Sequence, residues 1–235
     1  KLSKMKAINL IKAHRLILTG IPLIFMLLSC EETWLSDPLE TVETTEDVDS
    51  LPMQILNEAT ITGLPYENLS QAEMEGLLFM REEEKLARDT YIRFYELFAT
   101  PNFNNISKSE QVHMDAILSI LDKYGLEDPA ADKAIGIYTD SDLQKLYDDL
   151  QAMGQTDQIS ALKVGALIEE TDILDIQYEL DNTVDNQDIR FVYENLIRGS
   201  GFHLQSFVAV LKFNGIIYEP VLLDQEAFEL IIEKQ

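Results

Sequence analysis

With 235 residues, a formal charge of −24 and a single cysteine, the chain has room for one ordinary domain with a large core. Lys1, Lys4, Lys6, Lys12 and Arg15 stand before residue 30 with no acid among them, so the remainder is more acidic still; this argues against nucleic acid and anionic membrane as partners and favours cations. One cysteine allows no intramolecular disulfide and no thiolate cluster, so any metal must be held by oxygen and nitrogen.

Residues 1–29 are basic up to Arg15 and almost wholly apolar from Leu16 to Leu28, the layout of a signal peptide rather than of a fold element. The apolar run of about 13 residues falls short of the roughly 20 that span a bilayer as a helix. Leu27-Leu28-Ser29-Cys30 resembles the lipobox of bacterial lipoproteins, which makes Cys30 the expected lipidation site. It implies an exported lipoprotein of the cell envelope, at the outer membrane or cell surface, that meets the membrane through its N-terminal lipid only. Residues 30–66 are acidic and lack a sustained helical period, so they read as a flexible tether, with a short helical piece open at Met53 to Ala59. The folded domain is then expected over residues 67–235.

From residue 69 apolar side chains recur three and four apart, which predicts helices. The first opens on Ser70 and Glu73, a capping-box pairing, carries the stripe Leu77, Met80, Glu84, Ala87, Tyr91, Phe94, Phe98, and is expected to end at Pro101 and Asn102. The second runs from about 107 to Tyr124 with the stripe Ile106, Glu110, His113, Ile117, Ile120, Tyr124 and stops at Gly125. Residues 125–157 form a long connection with a short helix near 141–152. The third long helix covers 158–181 with the stripe Leu162, Gly165, Glu169, Ile173, Ile176, Leu180, and Asp172 lies one turn after Glu169. The fourth covers 186–212 with Ile189, Val192, Leu196, Ser200, His203, Phe207, Val210. Gly215 to Leu223 reads as extended and Gln225 to Lys234 as a terminal helix. The pattern predicts an all-α fold, an antiparallel four-helix bundle with a long crossover between its second and third helices.

Each stripe is interrupted near mid-helix by groups that do not belong in an apolar interior: Glu84, Glu110 with His113, Glu169, and Ser200 with His203. An ionised carboxylate is costly there unless paired or coordinated. At about 1.5 Å rise per residue, antiparallel packing brings these positions into one layer. Glu110-Gln111-Val112-His113 is Glu-x-x-His, whose spacing puts both groups on one face, a pairing used in di-iron bundles. Of three histidines, His14 precedes Cys30, and both others lie on stripes. The expected metal ligands are Glu84, Glu110, His113, Glu169, His203 and Asp172, around iron, as a pair of ions, or manganese. Blander readings stand beside this one. The run Glu82-Glu83-Glu84 could be a solvated face, Glu110 could complete a capping box begun by Ser107, and either Glu169 or Glu170 could point inward. A core histidine is often merely satisfied, and Tyr91, two turns after Glu84, could be core or lie near the metals.

Five ordered blocks carry a family resemblance: Met80-Arg81-Glu82-Glu83-Glu84-Lys85-Leu86-Ala87-Arg88-Asp89, Ser109-Glu110-Gln111-Val112-His113-Met114-Asp115, Lys123-Tyr124-Gly125-Leu126-Glu127-Asp128-Pro129, Gly165-Ala166-Leu167-Ile168-Glu169-Glu170, and Gly199-Ser200 followed by His203-Leu204. Together they resemble DUF2202, a bacterial and archaeal family within the ferritin-like superfamily, over about residues 68–232. The resemblance implies a ferritin-like fold. By comparison with ferritins and rubrerythrins, Glu84 with Tyr91 looks like the first-helix ligand and its tyrosine, Glu110 with His113 like the second-helix pair, and Glu169 like the bridging acid of the third. The fourth helix departs from the superfamily: Ser200-Gly201-Phe202-His203 stands where a symmetric site would have Glu-x-x-His, and Asp172 could supply the missing oxygen.

Three functions follow as expectations. One is a di-metal centre acting on oxygen or peroxide, which oxidises Fe(II) or reduces peroxide, with Tyr91 as the catalytic residue that supplies an electron. The absence of Cys-x-x-Cys leaves such a centre without a built-in electron relay. The second is metal binding at the cell surface without turnover. The third is a metal-free helical interaction module whose acids pair with Lys85, Arg88 or Arg198. A homodimer through a helix face is open.

Overall fold

The computed structural model describes residues 56–233, and these form seven helices and no strand. The expected signal peptide, Cys30 and most of the tether lie outside the described residues. The helices are α1 Glu58–Gly63, α2 Gln71–Phe98, α3 Pro101–Tyr124, α4 Ser141–Gly154, α5 Gln158–Asn182, α6 Gln187–Phe213 and α7 Gln225–Glu233. None of the described helices is long and apolar enough to cross a membrane.

The four long helices form two helical hairpins. α2 and α3 are joined through Ala99 and Thr100 alone and pack along their length, as do α5 and α6 across residues 183–186. The hairpins meet through α2 against α5 and α3 against α6, while α4 lies over α2 and α5. The side chains enclosed between them include Leu77, Met80, Phe94, Ile117, Leu162, Ile176, Leu196 and Phe207, all fully buried.

The capping box at Ser70 is realised in both directions, its hydroxyl accepting from the Glu73 N–H at 3.1 Å and the Glu73 carboxylate accepting from the Ser70 N–H at 2.9 Å. Pro101 does not separate two helices. It opens α3 at its first turn, where a missing N–H costs nothing, and α2 is ended instead by Ala99 in the left-handed region at φ 52°. Ser107 therefore lies two turns inside α3, its hydroxyl donating to the Asn104 carbonyl at 3.1 Å, so Glu110 is not part of a cap. Gly125 ends α3 at φ 67°, as its sequence position suggested. The segment from 214 to 224 contains no strand; it is an irregular connection into α7.

The tether is shorter at its C-terminal end than residues 30–66 would make it. α1 packs on α3 and α6, Ile61 is fully buried, and Lys123 donates to the Leu64 and Pro65 carbonyls at 2.9 and 3.0 Å. A six-residue helix with one anchoring isoleucine leaves too little period to be read from the sequence.

Glu82 and Glu83 are not solvated, being only 2% and 6% exposed. The Glu82 carboxylate accepts from the crossover N–H groups of Thr139 and Asp140 at 2.5 and 2.8 Å, and Glu83 lines a small cavity with Leu146 and Leu150 of α4. Asp89 holds the same connection through the Gly136 N–H at 2.8 Å and the Tyr138 hydroxyl at 3.2 Å, and it is paired with buried Lys85. Arg81 forks onto Asp128 at 3.0 and 2.9 Å and donates to the Met114 carbonyl at 2.7 Å. On α5, Glu170 is fully buried and accepts from the Tyr218 hydroxyl at 2.6 Å and from the N–H groups of Val221, Leu222 and Leu223 at 3.0, 2.6 and 2.8 Å.

Candidate metal centre

Four helices deliver their intruding groups to one buried layer. α2 contributes Glu84, α3 Glu110 and His113, α5 Glu169, and α6 His203, and none of the five is more than 7% exposed. Their donor atoms fall into two groups in which all members lie within 4.8 Å of one another: Glu84, Glu110 and His113, and Glu110, Glu169 and His203. Glu110 is common to both, the position given to Glu169 on family grounds, whereas Glu169 belongs to one group only.

The contacts within the layer run through the Nδ1 atoms of the two imidazoles. His113 Nδ1 stands 2.9 Å from Glu110 Oε2 and 3.2 Å from Glu84 Oε2; His203 Nδ1 stands 2.8 Å from Glu110 Oε1 and 3.4 Å from Glu169 Oε2. The two rings are nearly parallel, 28° apart with centroids 5.4 Å from each other. Despite these distances, both Glu110 oxygens, Glu169 Oε2 and His203 Nδ1 make no hydrogen bond, and neither does Glu84 Oε1. Only His113 Nδ1 and Glu84 Oε2 are hydrogen-bonded to each other, at 3.2 Å; buried donors left without such bonds at this spacing suit a cation placed among them, and carboxylate with imidazole suits iron, manganese or zinc.

The electrostatics describe a site loaded with charge. Burial lifts the Glu84 carboxyl to about 7, with the Glu110 charge adding to it against the pull of His113. Burial and the charge of Glu110 likewise lift Glu169 to about 7. Burial alone would raise Glu110 as well, but His203 and His113 outweigh it and hold this carboxylate well below its usual range. His203 is lifted to about 10, because Glu110 and Glu169 overcome the burial that would lower it, and His113 is raised by Glu84 and Glu110 in the same way. One carboxylate between two imidazoles is thus the electrostatic centre of the layer.

Asp172 lies outside both groups and is tied to the Ser200 hydroxyl, which donates to Oδ2 at 2.5 Å. The serine that replaces an expected carboxylate thus faces the acid that could stand in for it. Burial, followed by the charges of Glu84, Glu169 and Glu110, pushes Asp172 well above the usual carboxylate range. Asp172 also lines a small cavity beneath α4, together with Glu83, Leu86, Leu146, Leu150, Ile168 and Thr171. Tyr91 is fully buried; its hydroxyl donates to Glu169 Oε1, and its ring packs on Phe207 at 5.2 Å. Burial and the neighbouring Glu169 charge raise its phenol well above the ordinary value. Lys85 and Arg88 are both engaged with Asp89 rather than with the layer, which removes two of the cations that a metal-free core would have needed.

Two neighbours of the layer have no signature in the sequence pattern. The Ser109 hydroxyl lies 2.8 Å from His203 Nε2, and the backbone of Gly199 runs so close to His113 that a Cβ there would be 2.5 Å from Nε2.

This sequence matches the family described as "Uncharacterized protein domain (DUF2202)" over residues 73–235. The chain belongs to DUF2202. It is similar to "Uncharacterized protein MJ0754" of Methanocaldococcus jannaschii, 44% identical over 172 residues that make up 73% of this chain and 92% of that protein. It is also similar to the crystal structure of hypothetical protein MJ0754 from Methanococcus jannaschii DSM 2661, with a TM-score of 0.72 and 43% identity over 74% of this chain and 98% of that one. At that identity the all-helical DUF2202 fold described here is shared with a solved structure.

Proposed function

We propose that this DUF2202 protein is a ferritin-like four-helix bundle whose core holds a carboxylate/histidine di-metal centre, of iron or manganese, at which Fe(II) is oxidised by oxygen or peroxide. The observation that carries the reading is Glu110, with one oxygen 2.9 Å from His113 Nδ1 and the other 2.8 Å from His203 Nδ1, neither of them hydrogen-bonded. Glu84 and His113 would hold one ion and Glu169 and His203 the other, with Glu110 between them; the three carboxylates offset the charge that two cations bring into a buried layer. Redox-active ions bound there would supply the electrons that reduce oxygen or peroxide.

The chain's own residues prepare the place. The Tyr91 hydroxyl orients Glu169 by donating to one of its oxygens and would stand beside any ion this carboxylate held, where a phenol could supply an electron. Met80, Phe94, Ile117 and Phe207, all fully buried, shield the layer from bulk water. The lipobox at Cys30 supports placement in the cell envelope, and the acidic character of the chain supports attraction of cations to it.

Elemental analysis of the purified protein beside a Glu110→Ala, His113→Ala double variant tests the reading. About two iron or manganese ions per chain are expected, lost in the variant while its circular dichroism stays helical. A protein that takes up no metal on reconstitution, with its helices intact, would refute the centre. Fe(II) oxidation followed in the loaded protein separates turnover from sequestration.

A further inference from the structure

Resting on the di-metal reading above, we infer that Ser109 is a positioning residue that makes the two metal places unequal, the Glu110/Glu169/His203 place binding the more tightly. The two histidines meet Glu110 alike through Nδ1, but their far sides differ. His203 Nε2 lies 2.8 Å from the Ser109 hydroxyl, which can accept from or donate to the ring on that side. This contact fixes the ring's rotation and keeps Nδ1 turned toward Glu110 and Glu169. His113 Nε2 instead abuts Gly199, which has no side chain to offer it a partner, and the packing there is so tight that an added Cβ would stand 2.5 Å from the nitrogen. On its far side the first ring meets a hydroxyl and the second only the Gly199 backbone, while His113 is hydrogen-bonded through Nδ1 to Glu84 Oε2 at 3.2 Å.

Ser109 is well placed for this role. It immediately precedes Glu110 on α3, so the same stretch of helix that presents the shared carboxylate also orients the imidazole reaching across from α6. An orienting partner of a metal-bound histidine fixes the tautomer and raises ligand basicity, and its loss costs about 10- to 100-fold in metal affinity. Ser109 is half-buried, and alanine suits a helix interior, so removing the hydroxyl leaves the fold undisturbed.

The experiment is a titration of the metal-free protein with cobalt(II) chloride, followed by calorimetry and by the visible absorption of the bound ion. The wild type is expected to bind in two resolved steps. In Ser109→Ala the tighter step weakens about 10- to 100-fold and its absorption band shifts, while the looser step is unchanged; Ser109→Thr, which keeps the hydroxyl, restores both. His203→Ala removes the tighter step and His113→Ala the looser one. The inference is overturned by two unaltered steps in Ser109→Ala, by equal weakening of both, or by loss of the tighter step in His113→Ala. A wild type that binds no cobalt overturns the di-metal reading itself, and this is seen before any variant is compared.

Discussion

Gly199 acts through the side chain it lacks. A methyl group there would stand 2.5 Å from His113 Nε2, closer than any real contact, and the neighbour on the other side of the ring is the Glu110 carboxylate. Gly199→Ala is therefore expected to swing His113 out of place, halving the metal content measured by elemental analysis while helicity is retained. At this scale the convergence of Glu84, Glu110, His113, Glu169 and His203 was legible in the sequence, because a charged group on an apolar stripe breaks the period visibly. Ser109 was not legible: a serine beside the stripe looks like any solvated residue until the imidazole of another helix is seen to reach it. Glu82 failed for a related reason, since its partners Thr139 and Asp140 belong to the irregular stretch that precedes α4.

Among the elements, the four long helices, the crossover helix and the terminal helix were legible in order, the six-residue α1 was not, and the helix ends were less so. The proline at 101 carries two opposite meanings, helix stop and helix start, and only the backbone turn at Ala99 decides between them. The C-terminal segment is held to α5 by Glu170, whose carboxylate gathers three consecutive backbone N–H groups and the Tyr218 hydroxyl. Glu170→Ala strands these buried donors, at roughly 1–3 kcal/mol for each left unsatisfied. Hydrogen exchange should show residues 221–223 losing protection while the centres of α2 and α3 keep theirs. The crossover is fastened to α2 by Arg81 and Asp128. Burial would raise the Asp128 carboxyl, but the Arg81 guanidinium and the Ala130 N–H outweigh it and hold the group below its ordinary 3.8. A carboxylate lowered on folding contributes stability that is complete above its unfolded value and is lost as pH falls through the folded one. Asp128→Asn is thus expected to lower stability at neutral pH and to shrink the gap from wild type below about pH 4, as read from urea unfolding at a series of pH values.

For the molecule as a whole, a ligand that binds only the folded state stabilises it by mass action, by about 2.7 kcal/mol for one site at a hundred times its dissociation constant. Chelation is accordingly expected to lower Tm by several degrees in the wild type and to leave Glu110→Ala, His113→Ala unmoved, as scanning calorimetry would show. The division of the donors between the hairpins has a consequence for biogenesis. Glu84, Glu110 and His113 all lie on the α2/α3 hairpin, whereas the second group needs Glu169 and His203 from α5 and α6 as well. The N-terminal hairpin leaves the ribosome first, and it already carries every donor of the first group. The second group comes into being only when the last long helix has docked, so an ion captured there would be a receipt for completed assembly, and Glu110 is the one side chain that belongs to both groups.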